Sequence, residues 1–179
     1  MDIDSTPTDG SIGRAVPGGE AGDARAADEQ ARRHRTAYDR AVGLLAQREH
    51  SARELTRKLT SRDIDPDLVG RVVADLAERN LQSDERFAES FLHSRVGRGQ
   101  GPLRIRTDLR QRGIDDELID AVMTLPGSYW REVAEAARRK RFGSDAPADR
   151  REWTRQARFL AQRGFPSDLI YRVLGDADD

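Results

Sequence analysis

The stretch from Leu109 to Met123, LRQRGIDDELIDAVM, decides the fold, because related stretches precede and follow it in the chain. The earlier one is LTSRDIDPDLVGRVV, from Leu59 to Val73, and the later one is LAQRGFPSDLIYRVL, from Leu160 to Leu174. The copies are 50 and 51 residues apart, and six apolar positions coincide in all three. A repeat of this length is typical of small supersecondary units that stack on their neighbours.

Signals for the start of a helix recur inside the repeat. In the first copy, Asp65 is an N-cap and Pro66 takes the first helical position. Asp115 is the corresponding cap that we predict in the second copy, and Ser167 is the one that we predict in the third. Apolar residues then follow at helical spacing in each copy. Each copy therefore predicts a short helix that closes one unit.

The middle helix of each unit has a recognisable start or end. The sequence SARE, residues 51–54, is a capping box that opens the first of these helices, and Gly101-Pro102 opens the second. Gly113 and Gly164 end the second and third middle helices in a left-handed turn. Asp63 takes that position in the first unit, where aspartate tolerates the turn better than most residues do.

Apolar residues at helical spacing also precede each middle helix, and they predict a first helix in every unit. These residues are Tyr38, Ala41, Val42 and Leu45, then Phe87, Ala88, Phe91 and Leu92, and then Trp130, Val133, Ala134 and Ala137. No segment of useful length alternates with the period of a strand. We therefore expect an all-α fold, a tandem array of three three-helix modules that is elongated and curved, with flexible joints near residues 82–84 and 126–128.

Composition divides the chain into five predicted segments. Residues 1–34 are rich in Gly, Ala, Asp, Ser and Pro, and they hold too little apolar surface to offset the entropy of ordering, so we predict a disordered acidic tail. The three modules are predicted at residues 35–82, 83–126 and 127–175. Residues 176–179 form an acidic C-terminal tip.

The charge of the chain is unevenly distributed. The 179 residues carry a net charge of −1, with 35% charged residues. Residues 1–31 hold seven acids and two arginines, and residues 176–179 hold three aspartates, which leaves about +7 for residues 32–175. A basic body of this kind favours an acidic protein surface or a phosphate backbone as its partner.

Enzyme and cofactor chemistry find little support in the sequence. There is no cysteine, and the three histidines lack the spacing of metal ligands, so we expect no metal and no cofactor. The glycines of residues 97–101 follow a predicted helix and not a strand, which indicates a helix–helix connection and not a phosphate loop. No apolar run approaches the roughly 20 residues of a membrane span. We expect a cytoplasmic protein that is not an enzyme.

The basic residues are the remaining candidates for a binding role. Arg112 and Arg163 recur at the last turn of a middle helix, where they could instead stabilise the helix dipole by roughly 0.3–1 kcal/mol. The run RRKR at residues 138–141 lies in a module rich in aromatic residues, which could stack nucleic-acid bases or fill a core. The other cations could equally form a solvated face. The predicted partner-binding residues are Arg57, Arg98, Arg104, Arg106, Arg110, Arg112, Arg138, Arg139, Lys140, Arg141, Arg155 and Arg163.

Three segments together resemble the RecX family. REHSARELTRKL, residues 48–59, resembles its opening signature, and LQSDERFA, residues 81–88, is similar to its Leu-x-Asn-Asp-x-x-Phe-Ala element. The stretch from Gly99 to Ile114 resembles its Gly-x-Gly…Leu-x-x-Gly-Ile element. The resemblance covers about residues 36–175. Ser83 and Asp63 depart from the usual Asn and Gly, and both substitutions preserve the capping chemistry.

The resemblance implies a cytoplasmic regulator, most often an inhibitor, of the RecA recombinase. Such a protein binds along the RecA–DNA filament and modulates homologous recombination and DNA repair within the SOS response. The partners that it implies are the RecA filament and single-stranded or double-stranded DNA, with no membrane and a monomeric state. The alternative is a helical protein that binds DNA directly through phosphate contacts, and a nucleotide-dependent enzyme is disfavoured.

Overall fold

The computed structural model describes residues 19–175 of the chain, and over that range it consists of helices joined by turns, without a strand. The predicted all-α class is confirmed. Helix-starting and helix-ending residues separate the nine helices of the described range. They are α1 (Gly19–Leu45), α2 (Ala52–Thr60), α3 (Pro66–Glu78), α4 (Asp84–Gly97), α5 (Pro102–Gln111), α6 (Asp116–Met123), α7 (Gly127–Phe142), α8 (Arg150–Gln162) and α9 (Ser167–Leu174).

The helices group in threes around the repeated apolar positions. In the first module, Leu55, Leu59, Val69, Val72 and Leu76 are fully buried together with two alanines of α1. The second and third modules share one continuous apolar cluster, built from α4 to α9. The six positions that define the repeat are buried or half-buried in every copy. The repeated apolar positions therefore form the core of each three-helix module, as predicted.

The caps agree with the sequence in two of the three repeat copies. Asp65 accepts a hydrogen bond from the backbone N–H of Leu68 at 2.9 Å, and Asp115 accepts one from Leu118 at 2.7 Å. The predicted cap at Ser167 is wrong, because α9 begins at that residue and Pro166 precedes it without a side-chain cap. Proline fixes the extended backbone before the helix and so replaces the hydroxyl in setting its start.

The left-handed turns after the middle helices are confirmed. The φ angles are 59° at Asp63, 84° at Gly113 and 89° at Gly164. The connection at residues 97–101 is also confirmed as a link between two helices, with Gly101 as the N-cap of α5. These turns bring each third helix back against the two before it.

The N-terminal segment differs from the expectation. Residues 1–18 of the predicted tail, and the tip at 176–179, lie outside the described residues. From Gly19, however, the backbone is helical and continues into the helix of the first module. This part is rich in strong helix formers, and pairs four residues apart, such as Arg33 with Glu29 at 2.9 Å, favour the helix further. The boundaries of the five segments stay predictions.

The middle helices α2, α5 and α8 meet end to end. The carbonyl of Arg112, which ends α5, accepts a hydrogen bond from the hydroxyl of Ser51, the N-cap of α2, at 2.7 Å. The carbonyl of Arg163, which ends α8, accepts one from the amide of Gly101, the N-cap of α5, at 2.7 Å. Each module is thus joined to the preceding one by the same relationship, with a hydroxyl donor in one case and an amide donor in the other.

The glycines at these joints leave no room for a side chain. A Cβ at Gly113 would lie 2.8 Å from the Cβ of Arg53, and one at Gly164 would lie 2.5 Å from the backbone nitrogen of Arg104. Close approach and the left-handed backbone both require glycine there. In the first copy, Asp63 shares the backbone conformation, and the described residues include no module before it.

The first joint is hydrogen-bonded where we expected a flexible link. Gln82 is buried, and its side-chain amide donates to the carbonyl of His50 at 3.3 Å and to the carboxylate of Asp84 at 2.7 Å. The same carboxylate accepts from the backbone N–H of Ala52 at 2.8 Å. Specific bonds between the first and second modules therefore replace an open linker.

Candidate functional site

The structure places the predicted partner-binding residues in several environments, and one of these residues lies in the interior. Arg138 is buried, with 9% of its surface exposed. Its Nε donates to the amide oxygen of Gln156 at 2.8 Å, and a terminal nitrogen donates to the carbonyl of Asp145. We expected Arg138 on an exposed face. It lies instead four and eight residues after the buried Ala134 and Trp130, which puts it on the core side of α7.

Two further arginines are used at the module joints. A terminal nitrogen of Arg163 donates to the carbonyls of Arg98 at 2.7 Å and Gly99 at 3.2 Å. The guanidinium of Arg163 also lies 4.6 Å from the ring centre of Phe159. These contacts tie the end of α8 to the turn that precedes α5, so the recurrence of this arginine in the repeat has a structural reason.

Arg112 plays the matching part at the first joint. It donates to the carbonyl of Asp108 at 2.7 Å, and its Nε lies 3.4 Å from the carboxylate of Glu54. Glu54 is buried and also pairs with Arg48 at 3.0 Å. Ser51 caps the backbone N–H of Glu54 at 3.1 Å, so one half of the predicted capping box is confirmed. The carboxylate of Glu54, which would form the other half of the box, pairs instead with Arg48 and Arg112 at the first joint.

An aromatic ring between two cations supports the same joint. The guanidinium groups of Arg95 and Arg112 each lie 4.5 Å from the ring centre of Phe91. Arg95 is half-buried and pairs with Asp108 at 3.7 Å. Burial lowers the pKa of Arg95, although an arginine remains protonated at neutral pH. Arg95 therefore has its ion-pair partner within the second module, whereas Arg112 also pairs with Glu54 of the first.

Arginines on α5 form ion pairs with α6. Arg110 lies 2.5 Å from Asp116, and Arg106 pairs with Asp120. Arg104 reaches the carbonyl of Gln162 at 3.4 Å. Ion pairs as exposed as that of Arg110 contribute little to stability, on the order of 0–1 kcal/mol, so a partner carboxylate could replace the internal one at small cost.

Four predicted residues keep their side chains available. Arg57, Arg98, Arg139 and Lys140 are exposed, and their side chains make no hydrogen bond, ion pair or cation–π contact with any residue that the structure describes, whereas the exposed Arg141 lies 5.9 Å from the ring centre of Phe142. We call these four residues the free cations. They lie on α2, after α4, and in the last turn of α7. Charges of one sign that lack internal partners are available to bind an acidic surface.

A concave surface at the second joint lies beside two of the free cations. It has a volume of about 580 Å³. One wall is the end of α4 and the turn after it, and the other is one face of α7. We call it the joint groove. Its apolar lining includes Val96, Tyr129, Val133, Ala136, Ala137 and Phe159, and Arg98, Lys140, Arg141 and Arg163 also line it.

A second concavity follows α8 and the end of α7. It has a volume of about 1110 Å³ and is lined by Arg141, Arg151, Arg155 and Arg158, a set that we call the α8 basic face. Glu152 lines it as well and pairs with Arg155 at 3.0 Å. The ring of Phe142 lies 5.2 Å from the guanidinium of Arg155 and packs edge-on against Phe159.

Sequence reasoning missed the apolar half of the joint groove. The apolar spacing on α7 assigned Val133 to a core, and Val133 does pack against the apolar cluster, but the same half-buried side chain also lines the groove beside Tyr129 and Ala136. Arg151 and Arg158 were also left out of the predicted set. Spacing identifies which residues share a face of α7. It does not identify which face the neighbouring module covers.

His50 is a buried titratable group at the first joint. Its Nδ1 lies 3.0 Å from the carbonyl of Arg48, and its Nε2 has no hydrogen-bond partner among residues 19–175. Because a carbonyl only accepts, the Nδ1–H donates to it. Burial lowers the pKa of His50 from its ordinary value of 6.5.

Neither a metal site nor a membrane-spanning helix is present among the described residues. No group of three or more His, Cys, Asp or Glu side chains there could hold a metal ion. Of the helices that the structure describes, none is long and apolar enough to cross a membrane.

Comparisons with known proteins match every module. The three-helix domains of RecX match in order: the first at residues 37–76, the second at 83–123 and the third at 129–174. The chain is 50% identical over 141 residues to the regulatory protein RecX of Halorhodospira halophila, covering 79% of this chain and 88% of that one. It is 43% identical over 148 residues to that of Stenotrophomonas maltophilia strain R551-3, covering 82% and 91%.

Solved structures share the fold. The crystal structure of RecX from Lactobacillus salivarius superposes with a TM-score of 0.69 at 24% identity, covering 83% of this chain and 98% of that one. A second crystal structure, of a regulatory protein RecX, superposes with a TM-score of 0.73 at 25% identity, covering 86% and 76%. The arrangement of helices is therefore common to these proteins.

Proposed function

The chain belongs to the RecX family, and from that premise we propose that it inhibits a RecA recombinase by binding along the RecA–DNA filament. In this role it modulates homologous recombination and DNA repair in the cytoplasm, as a monomer and without a reaction of its own. Its relatives are named regulatory proteins, which supports a regulatory role. Two features of the described residues support filament binding, namely the repeated joints between modules and the free cations.

The end-to-end joints are the observation that carries the proposal. Because Ser51 meets Arg112 and Gly101 meets Arg163 in the same way, the second and third modules are each held to their predecessor by one repeated contact. A filament presents identical subunits at a regular spacing. Modules held in a repeated register can contact successive subunits, and each contact raises the effective concentration of the next.

The free cations supply the attraction. Arg57 lies in the first module, Arg98 after the first helix of the second, and Arg139 and Lys140 in the third. Each module therefore offers at least one cation that needs no internal bond to be broken before it meets a carboxylate. Exposed charges steer association and lose strength with salt, so binding should weaken as ionic strength rises.

Inhibition follows from occupancy of the filament. A ligand that bridges neighbouring subunits stabilises the arrangement that it binds and opposes the changes that accompany ATP hydrolysis and strand exchange. The ligand can shift an equilibrium only by its differential affinity for the two arrangements. The expected effect is therefore graded with the fraction of filament covered.

Direct DNA binding is the second candidate, and the α8 basic face favours it. Arg151, Arg155 and Arg158 follow one another at i, i+4 and i+7 on α8, and Arg141 joins them from α7. Arginine forks suit phosphate oxygens. This candidate predicts affinity for DNA without a recombinase, with a logarithmic salt slope that grows with the number of phosphates contacted.

A titration of the recombinase–single-stranded DNA ATPase tests the proposal. Increasing amounts of the full chain should depress the steady-state rate at saturating ATP, while DNA binding without recombinase stays weak. A double variant, Arg139→Glu with Lys140→Glu, should need a higher concentration for the same depression. The double variant Arg40→Glu with Arg71→Glu changes the net charge equally outside the predicted set and serves as the control. An unchanged ATPase rate at saturating protein would reject inhibition.

A further inference from the structure

The joint groove combines an apolar centre with charged ends. Val133 and Ala136 form the middle of its α7 wall, where Val133 is half-buried and Ala136 is exposed. Lys140 and Arg141 lie toward the C-terminal end of the same helix, and Glu132 lies toward its N-terminal end. The groove therefore has a direction along α7, with cations at one end and a carboxylate near the other.

Two glycines at the α4 wall differ in what the chain requires of them. Gly99 has a φ of 70°, and a Cβ there would lie 3.0 Å from the Cβ of Ala137, so the turn itself needs glycine. Gly97 is the last residue of α4 and lines the groove. Apart from its chain neighbours and the backbone of its own helix, no described residue has an atom within 4 Å of where its Cβ would lie. The folded chain thus gives no steric reason for glycine at position 97.

Glycine weakens a helix relative to alanine, so Gly97 lowers the stability of α4. No contact within the described chain compensates for this loss. The effect of the glycine is to leave the backbone at the groove wall bare. A wall without side chains lets a ligand approach closely, which is a common use of glycine at binding surfaces. The apolar residues opposite, on α7, would then contact that ligand from the other side.

Charge complementarity defines the ligand. Arg98 and Lys140 are free cations beside the groove, whereas the guanidinium of Arg163 is held by the carbonyls of Arg98 and Gly99. An apolar side chain fits the centre, and a carboxylate fits between the free cations. A nucleic-acid backbone would place phosphates along an apolar wall and is the poorer match.

We propose that the joint groove binds a segment of the recombinase in which an apolar side chain is followed by a carboxylate. The apolar side chain contacts Val133 and Ala136 across from Gly97, and the carboxylate pairs with Lys140 and Arg98. This inference rests on the proposed function and names the part of the chain that holds the partner. It places the anchor at the joint between the second and third modules, where both modules contribute to one contact.

The test compares two glycines that lie in helices and have open space around them. Gly97→Leu fills the groove from its α4 wall. Gly70→Leu, on α3, is the matched control, because no described atom lies within 4 Å of its Cβ position either. The binding of each full-length variant to recombinase filaments on single-stranded DNA is measured by fluorescence anisotropy of the labelled chain, beside its melting temperature.

We expect Gly70→Leu to bind as the wild type does, and Gly97→Leu to bind at least about tenfold more weakly at an undiminished melting temperature, because a filled pocket removes a central anchor. Equal binding by Gly97→Leu would overturn the groove and leave the proposed function intact. Absence of filament binding by the wild type would overturn both.

A second variant guards against loss of folding. Lys140 is exposed and its side chain makes no bond within the described residues, so Lys140→Glu should leave the melting temperature unchanged. Arg139→Glu makes the same charge change at a free cation that does not line the groove, so it is the matched control. A larger loss of filament binding in Lys140→Glu than in Arg139→Glu supports the groove even if Gly97→Leu proves unstable, and equal losses would contradict the carboxylate contact. An unchanged dissociation constant for Lys140→Glu would remove the carboxylate contact and, with it, the proposed ligand.

Discussion

The carbonyl oxygen of Arg163 accepts a hydrogen bond from the backbone amide of Gly101 at 2.7 Å, across 62 residues of chain. This bond joins the last turn of α8 to the first turn of α5. A Cβ at Gly101 would lie 2.5 Å from the carbonyl carbon of Gly164. The two backbones meet without side chains between them, and this contact fixes how the third module follows the second.

Gly164→Ala should therefore destabilise the protein by more than backbone strain alone. The φ of 89° costs an alanine on the order of 1 kcal/mol. The collision with the backbone of Arg104 adds to this, for a total of about 2–4 kcal/mol. Asp63→Ala is the control, because it places an alanine at the corresponding left-handed turn of the first module, where φ is 59° and a side chain already fits. Urea denaturation measures both. Equal losses would mean that the joint tolerates the methyl group.

Ser51→Ala separates a helix cap from a module joint. The hydroxyl of Ser51 accepts from Glu54 and donates to the carbonyl of Arg112, whereas the hydroxyl of Ser83 accepts only from Arg86 within its own helix end. Ser83→Ala should cost about 1 kcal/mol as a lost cap. Ser51→Ala should cost about 1 kcal/mol more, because the half-buried carbonyl of Arg112 loses its donor. Similar unfolding free energies for the two variants would mean that the hydrogen bond from Ser51 to the carbonyl of Arg112 contributes nothing measurable to stability.

Arg138→Met tests whether this arginine is structural. Its removal leaves the amide oxygen of the buried Gln156 without its donor, so stability should fall by about 1–3 kcal/mol. Arg139→Met, on the neighbouring exposed position, should change stability by less than about 0.5 kcal/mol. Thermal unfolding of both variants provides the comparison. A stable Arg138→Met variant with weakened partner binding would restore Arg138 to the binding surface.

Acid should destabilise the protein through His50. Burial lowers the pKa of His50 in the folded state, so the unfolded chain binds the proton more readily. Stability from this group is present above pH 6.5 and is lost as the pH falls below that value toward the folded-state pKa. His50→Gln should flatten the dependence of the unfolding free energy on pH. His93→Gln, at an exposed position, should leave the slope as in the wild type. An equally steep slope in His50→Gln would assign the acid sensitivity to other groups.

Much of the fold could be predicted because the core residues of each module lie close together in the sequence. Leu109, Ile114 and Ile119 carry the spacing of one module, and their counterparts repeat it. The joints could not be predicted in this way. The bond between Ser51 and Arg112 links residues 61 apart, and nothing in either segment alone indicates the other.

The candidate site was predictable in part for the same reason. Exposure of Arg57 and Lys140 follows from their helix faces, and the burial of Arg138 could have been inferred from its spacing to Trp130. The joint groove could not be predicted from the sequence, because it exists only where two modules meet. Gly97 looks like any helix-ending glycine until the space around it is known.

Filament binding by a variant without free cations tests the central claim most directly. Arg57, Arg98, Arg139 and Lys140 are changed together to glutamate, and the dissociation constant for recombinase filaments on single-stranded DNA is measured at low and at moderate salt. The wild type should bind with an affinity that falls as salt rises, and the fourfold variant should bind at least about tenfold more weakly while its helical content is retained. Wild-type affinity in the fourfold variant would contradict the account.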